Sequence, residues 1–179
     1  MKYAKVFVAG LGIGVMLWLS NGCAGGSIES PESVDFSGVW QVSESDSDPV
    51  PDINKIFSEE RNALIKGELN DPTQSAIFLK HDFPVLFNDT LMIEQDAESM
   101  GVSYSTSPYD DFKWGQKIQN GLKLSVIWRD TTLVIQKIRR SVRGTERYSL
   151  DDDGNTLRVF VNIQSGNEKF RLNRIFRKN

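Results

Sequence analysis

One cysteine and one histidine in 179 residues remove much of the chemistry that side chains can carry. Without a second cysteine no internal disulfide can form, so the fold has to rest on its apolar core. Zinc sites draw on several cysteine or histidine ligands, which this chain does not have. Nucleophile motifs are missing too: there is no Gly-x-Ser-x-Gly elbow and no Ser-x-x-Lys. His81 is followed by Asp82, but adjacent residues on a strand or loop point apart, which makes a poor general-base pair. The run Asp151-Asp152-Asp153-Gly154-Asn155 reads as a hairpin turn, because calcium-loop spacing would put Phe160 where a bidentate carboxylate is needed. Glu59-Glu60 and Asp110-Asp111 read as solvated faces and turns rather than acid/base pairs. The expectation is a protein that is not an enzyme, with no cofactor and no metal.

Excess positive charge is also lacking. The chain has 21 basic and 24 acidic side chains, a net charge of −3, which argues against a nucleic-acid partner. The distribution is uneven, since residues 129–179 hold 12 basic and 6 acidic groups and make a basic end on an acidic protein. Its arginines, Arg139, Arg140, Arg143, Arg147, Arg171, Arg174 and Arg177, have two readings: pairing with the acidic N-terminal half, or facing anionic lipid head groups.

What is present begins with Lys2 and Lys5, then an uncharged run from Val6 to Leu19, then small residues to Gly26. This is the pattern of a secretory signal. As a helix the run would span about 21 Å, short of the roughly 30 Å hydrocarbon core, so a permanent membrane span is the weaker reading. Gly22-Cys23 at the end of the run resembles the lipobox of bacterial lipoproteins, although Ser20 stands where that group favours leucine. The resemblance implies a signal peptide over 1–22, diacylation (palmitate) at Cys23, and a lipid-anchored tether over 23–35, which is small, polar and broken by proline. Cleavage by ordinary signal peptidase after Ala24 is the alternative. Ala24 rather than aspartate after the cysteine resembles the sorting pattern of the outer membrane, on its periplasmic face.

From Phe36 to Asn179 the pattern is that of one β domain. Phe36, Gly38, Trp40 and Val42 share a parity, Asp52 can cap a helix running from Ile53 toward Gly67, and 71–85 is either a second short helix or an irregular cover. Beyond Thr90 the period is two, with turn signals such as Asn120-Gly121 and Asp153-Gly154. Gaps this short allow only antiparallel neighbours. The expected fold is mostly β, an antiparallel meander of about eight or nine strands with a helical insert after the first, curled into a barrel to remove its edges.

Gly38-x-Trp40 at the head of a meander resembles the lipocalin and wider calycin group, and the helical insert after strand one is more like its fatty-acid-binding branch. The chain is also similar to a set of bacterial lipoproteins of uncharacterised role with Gly-x-Trp, a Ser-Asp-x-x-Pro element and a Trp128-Arg to Leu157 block. The calycin resemblance implies that the first and last strands meet and that Trp40 closes the barrel floor beneath an arginine, with Arg171, Arg174 and Arg177 as candidates. Trp40, Tyr104, Trp114 and Trp128 fall on different strands, where they could line a cavity for an apolar ligand or fill a solid core. Two functions therefore stand open. One is a non-catalytic envelope lipoprotein that binds a lipid-like or apolar ligand. The other is a solid-core structural lipoprotein that binds another envelope component.

Overall fold

The computed structural model describes residues 26–68, 75–140, 142–165 and 168–179. The period-two segments are strands, each of them antiparallel to its neighbours. They are β1 (Gly38–Val42), β2 (Thr90–Gln95), β3 (Ser99–Tyr104), β4 (Asp110–Lys113), β5 (Gly115–Gln119), β6 (Leu122–Arg129), β7 (Thr132–Arg139), β8 (Val142–Leu150), β9 (Thr156–Ser165) and β10 (Glu168–Lys178). Between β1 and β2 lie α1 (Ile53–Ile65), α2 (Ser75–Asp82) and a 3-10 turn over Pro84–Leu86. The ambiguous 71–85 stretch is thus helical from Ser75, and 71–74 lie outside the described residues. Among the described residues no helix is long and apolar enough to cross a membrane.

The strands form one sheet in the order β4-β3-β2-β1-β10-β9-β8-β7-β6-β5. Every neighbour is consecutive in sequence except β1 and β10, which pair at Trp40↔Lys178 and Val42↔Phe176. This pairing bends the meander into a nearly closed barrel. Its seam lies between β4 and β5, which are joined through Trp114 and share no ladder. The count exceeds the sequence expectation by β5. That strand is mostly exposed and its one aliphatic residue, Ile118, points to water, so it carries no alternating signal.

Inward positions of the strands fill the lower barrel. Trp40, Trp128, Tyr148, Phe176, Leu91, Ile93 and Met100 are all fully buried. Burying such a side chain stabilises the fold by roughly 1.5–3 kcal/mol relative to leaving it in water. At the other end, the mouth, α2 and the 3-10 turn plug the opening with Ala76, Leu79, Phe83, Pro84, Val85 and Leu86. Phe83 lies so close to β8 that a Cβ at residue 144 would collide with its ring, so only glycine fits there. In contrast α1, capped by Asp52 through the N–H groups of Asn54 and Lys55, has no fully buried residue and sits outside as a lid.

Of the expected tether, 23–25 lie outside the described residues, and from Gly26 onward the chain runs along the barrel floor. Ser27 exchanges two 2.8 Å backbone hydrogen bonds with Trp128, taking up the edge of β6 just beyond the last β5 pairing, Gly115↔Val126. Gln95 on β2 then holds the segment, donating from Nε2 to the Val34 carbonyl and accepting from the Phe36 N–H. Residues 26–36 therefore strap β6 to β2 across the floor end of the seam, and the Phe36 ring stacks on Trp128 at 5.6 Å.

Candidate functional site

The mouth is held by a polar network on inward positions of β7 and β8. Lys137 is 3% exposed; its Nζ donates to Glu146 Oε1 at 2.8 Å and to the Asp82 carbonyl at 2.6 Å. Its remaining faces meet the Phe83 and Phe112 rings, whose centroids lie 5.2 and 5.0 Å away. The second Glu146 oxygen accepts from the Tyr148 hydroxyl at 2.7 Å. Burial, with Glu146 adding to it, pushes the Tyr148 and Tyr104 phenols well above their ordinary range, so both remain donors at neutral pH. Tyr104 donates to Asp110 at 3.3 Å.

Arg139, two residues beyond Lys137, fixes the plug. Its Nε and Nη2 grip the Asp82 carboxylate at the end of α2 at 2.8 and 2.9 Å, and Nη1 donates to the Asn120 carbonyl at 2.7 Å. The Asp82 bonds hold this guanidinium above its ordinary range. One side chain thus ties α2, the β5–β6 turn and β7 together. On the far side Asn88, fully buried, bonds the Pro84 carbonyl and the 105–107 loop, which fixes the rim beside α2.

The two larger clefts described at this end adjoin α2. The first, of about 550 Å³, lies above the seam and under α2, between Phe78, Phe112, Leu122 and Leu124 as apolar walls and Lys117, Lys137 and Arg139 as cations. The second, of about 540 Å³, lies between α1, α2 and the loop 106–108, lined by Ile53, Phe57, Ala76 and Pro108. Ile77, His81 and Asp110 belong to both, so the clefts adjoin.

The aromatic residues singled out from the sequence lie lower down. Trp128 sits in a cluster with Phe36, Tyr148 and Trp114, and Trp114 meets it edge-on at 5.6 Å. Trp114 is half-buried and donates to the Ala97 carbonyl. Trp40 is fully buried in the floor and donates to the Phe36 carbonyl at 2.8 Å. Tyr104 approaches the mouth through Asp110, and none of the four forms a wall of either cleft. Cys23 lies outside the described residues.

The cation over Trp40 is Lys178, 5.3 Å from the ring, and not one of the three arginines expected there. The register explains the substitution: Lys178 stands directly opposite Trp40, Arg171 and Arg177 have outward parity, and Arg174 pairs with Glu44. Sequence reasoning passed over Lys137 and Glu146. The signal was there, because both stand on the inward parity of their strands beside apolar residues, Leu133-x-Ile135-x-Lys137 and Glu146-x-Tyr148.

A ten-stranded antiparallel barrel with two helices between its first and second strands is the architecture of the calycin group in its fatty-acid-binding form. Among solved structures, the fatty acid transporter REP1-NXSQ matches at TM-score 0.51 with 12% identity, over 81% of this chain and 96% of its own length. The zebrafish ileal bile acid-binding protein complexed with cholic acid matches at TM-score 0.48 and 14% identity, over 80% of this chain and 98% of that one. The fluorescent protein UnaG matches at 0.47 and 19%, over 80% and 97%. No family model and no curated protein sequence matches the chain.

Proposed function

We propose that the chain is a non-catalytic binding barrel that holds one apolar or amphipathic ligand in the cleft beneath α2, and that it is an envelope lipoprotein anchored through Cys23. The observation that carries the ligand reading is the 550 Å³ cleft, which falls within the few hundred to a thousand Å³ typical of small-ligand sites. Its apolar walls are Phe78, Phe112, Leu122 and Leu124, and two of its three cations are already engaged, Lys137 by Glu146 and Arg139 by Asp82. Such a site suits a long apolar body better than a small anion. The shared barrel makes a fatty acid the natural first probe, since the transporter of the same fold carries one by name.

A fluorescent polyene fatty acid should bind saturably to the wild-type protein. Leu124→Trp, which fills the cleft from β6 without disturbing the floor, should weaken that binding by tenfold or more at an unchanged melting midpoint. Equal affinity in both proteins, or none in either, would reject the ligand reading and favour the solid-core reading, which the filled floor around Trp40 and Trp128 supports.

The anchor reading rests on Gly22-Cys23 after the apolar run. Labelled palmitate should enter the wild-type chain and not Cys23→Ser, and equal labelling of the two would reject it.

A further inference from the structure

The outer face of β8, β9 and β10 carries a feature that the cleft does not use. The register places Arg143 and Lys169 on either side of Gln164, and Thr145 and Arg171 on either side of Asn162. One row lower, Arg147 lies beside Phe160, its guanidinium 5.9 Å from the ring centroid. All four cations are exposed. Among the described residues, the carboxylates that pair with the other C-terminal arginines are Asp82 with Arg139, Asp151 with Arg158, Glu44 with Arg174 and Asp46 with Arg177. None of these reaches Arg143, Arg147, Lys169 or Arg171. Asp48, at the lower corner, is engaged by the N–H and amide of Asn173.

Strand spacing makes this patch roughly 10 Å wide and, over two pleats, about 13 Å tall. It is a sheet surface, and it is positive on a chain whose net charge is −3. The described chain meets the barrel wall at Ser27, which pairs with Trp128 on β6, two strands from β8. We propose that the β8–β10 face docks on an anionic phospholipid leaflet, so that the barrel lies on its side with the β4–β5 seam turned away from the membrane. The choice of a lipid surface leans on the membrane reading of the N-terminus, while the patch itself does not.

Partition of the full-length protein into vesicles of phosphatidylcholine, alone and with phosphatidylglycerol added, tests this. Near an anionic surface each basic side chain contributes about fivefold in partition, so three give roughly 100-fold. The wild type should prefer the anionic vesicles by at least that order at low salt and lose the preference at high salt. Arg143→Gln/Arg147→Gln/Arg171→Gln should lose about 100-fold of the preference, keeping only the roughly fivefold share of Lys169, while partitioning into phosphatidylcholine alone as the wild type does. A triple variant that keeps the preference, or a wild type that shows none, overturns the proposal, as does retention on a sulfated polysaccharide without any vesicle preference. Failure of the anchor reading is seen separately, as absent palmitate at Cys23 with the anionic preference intact.

Discussion

Replacing Trp40 by alanine should lower the stability of the fold by about 3–5 kcal/mol, measured as a shift of the urea midpoint at constant slope. Trp40 is fully buried at the junction of β1 with both of its neighbours, opposite Leu91 on β2 and Lys178 on β10. Truncation removes the ring, leaves a cavity that a strand floor cannot collapse to fill, and orphans the Phe36 carbonyl that the indole N–H now satisfies. Against a total of about 5–15 kcal/mol for a domain, such a loss takes a third or more of the stability. Trp114→Ala is the control, because Trp114 is half-buried at the strap and should cost clearly less. A midpoint unchanged within error for Trp40→Ala would mean that closure of β1 on β10 does not hold the barrel together.

Glu146→Leu should be as damaging, by about 3–5 kcal/mol, because it strands the Lys137 ammonium in a site where both side chains are at most 3% exposed. The Asp82 carbonyl and two aromatic faces would remain, which is too little for an unpaired charge. Adding Lys137→Met to Glu146→Leu should restore most of the loss, since two well-packed apolar side chains replace a buried pair at little net cost. A double-mutant cycle gives the coupling directly. Additive losses from the two substitutions would show that the pair is not a unit and that each residue is held by its other contacts.

These two sites differ in how plainly the sequence announces them. The resemblance carried by Gly38-x-Trp40 implied the floor, the pairing of the first and last strands and the burial of Trp40, while period-two alternation and short turns gave the antiparallel meander itself. The identity of the cation above the ring was not legible. It depends on register, and one residue of slip exchanges inward for outward along all of β10. The helix capped by Asp52 was legible from its cap, yet its loose seat outside the barrel was not, since Ile53 and Ile56 have helical spacing whether they face a core or only its margin. The cleft was least legible of all. Its walls come from α2, β4, β5, β6 and β7, and β5 has no hydrophobic pattern to mark it as a strand. The split among the arginines follows the same logic: Arg139, Arg174 and Arg177 find carboxylates that only the three-dimensional path of residues 44–82 brings to them.

The pairing of β1 with β10 also sets the order in which this chain can fold. The strands from β5 to β10 are hairpins of short sequence separation, able to form early and locally, whereas β1 waits for the last residues of the chain. The bond from the Asn173 N–H to Asp48 spans 125 residues, and its loop-closure entropy must be met before any contact along that edge returns free energy. A nascent chain emerging from its amino end therefore has no barrel until its final strand is free. Loss of even that one strand leaves β1 and the ten-residue β9 as open edges, ready to pair with another molecule.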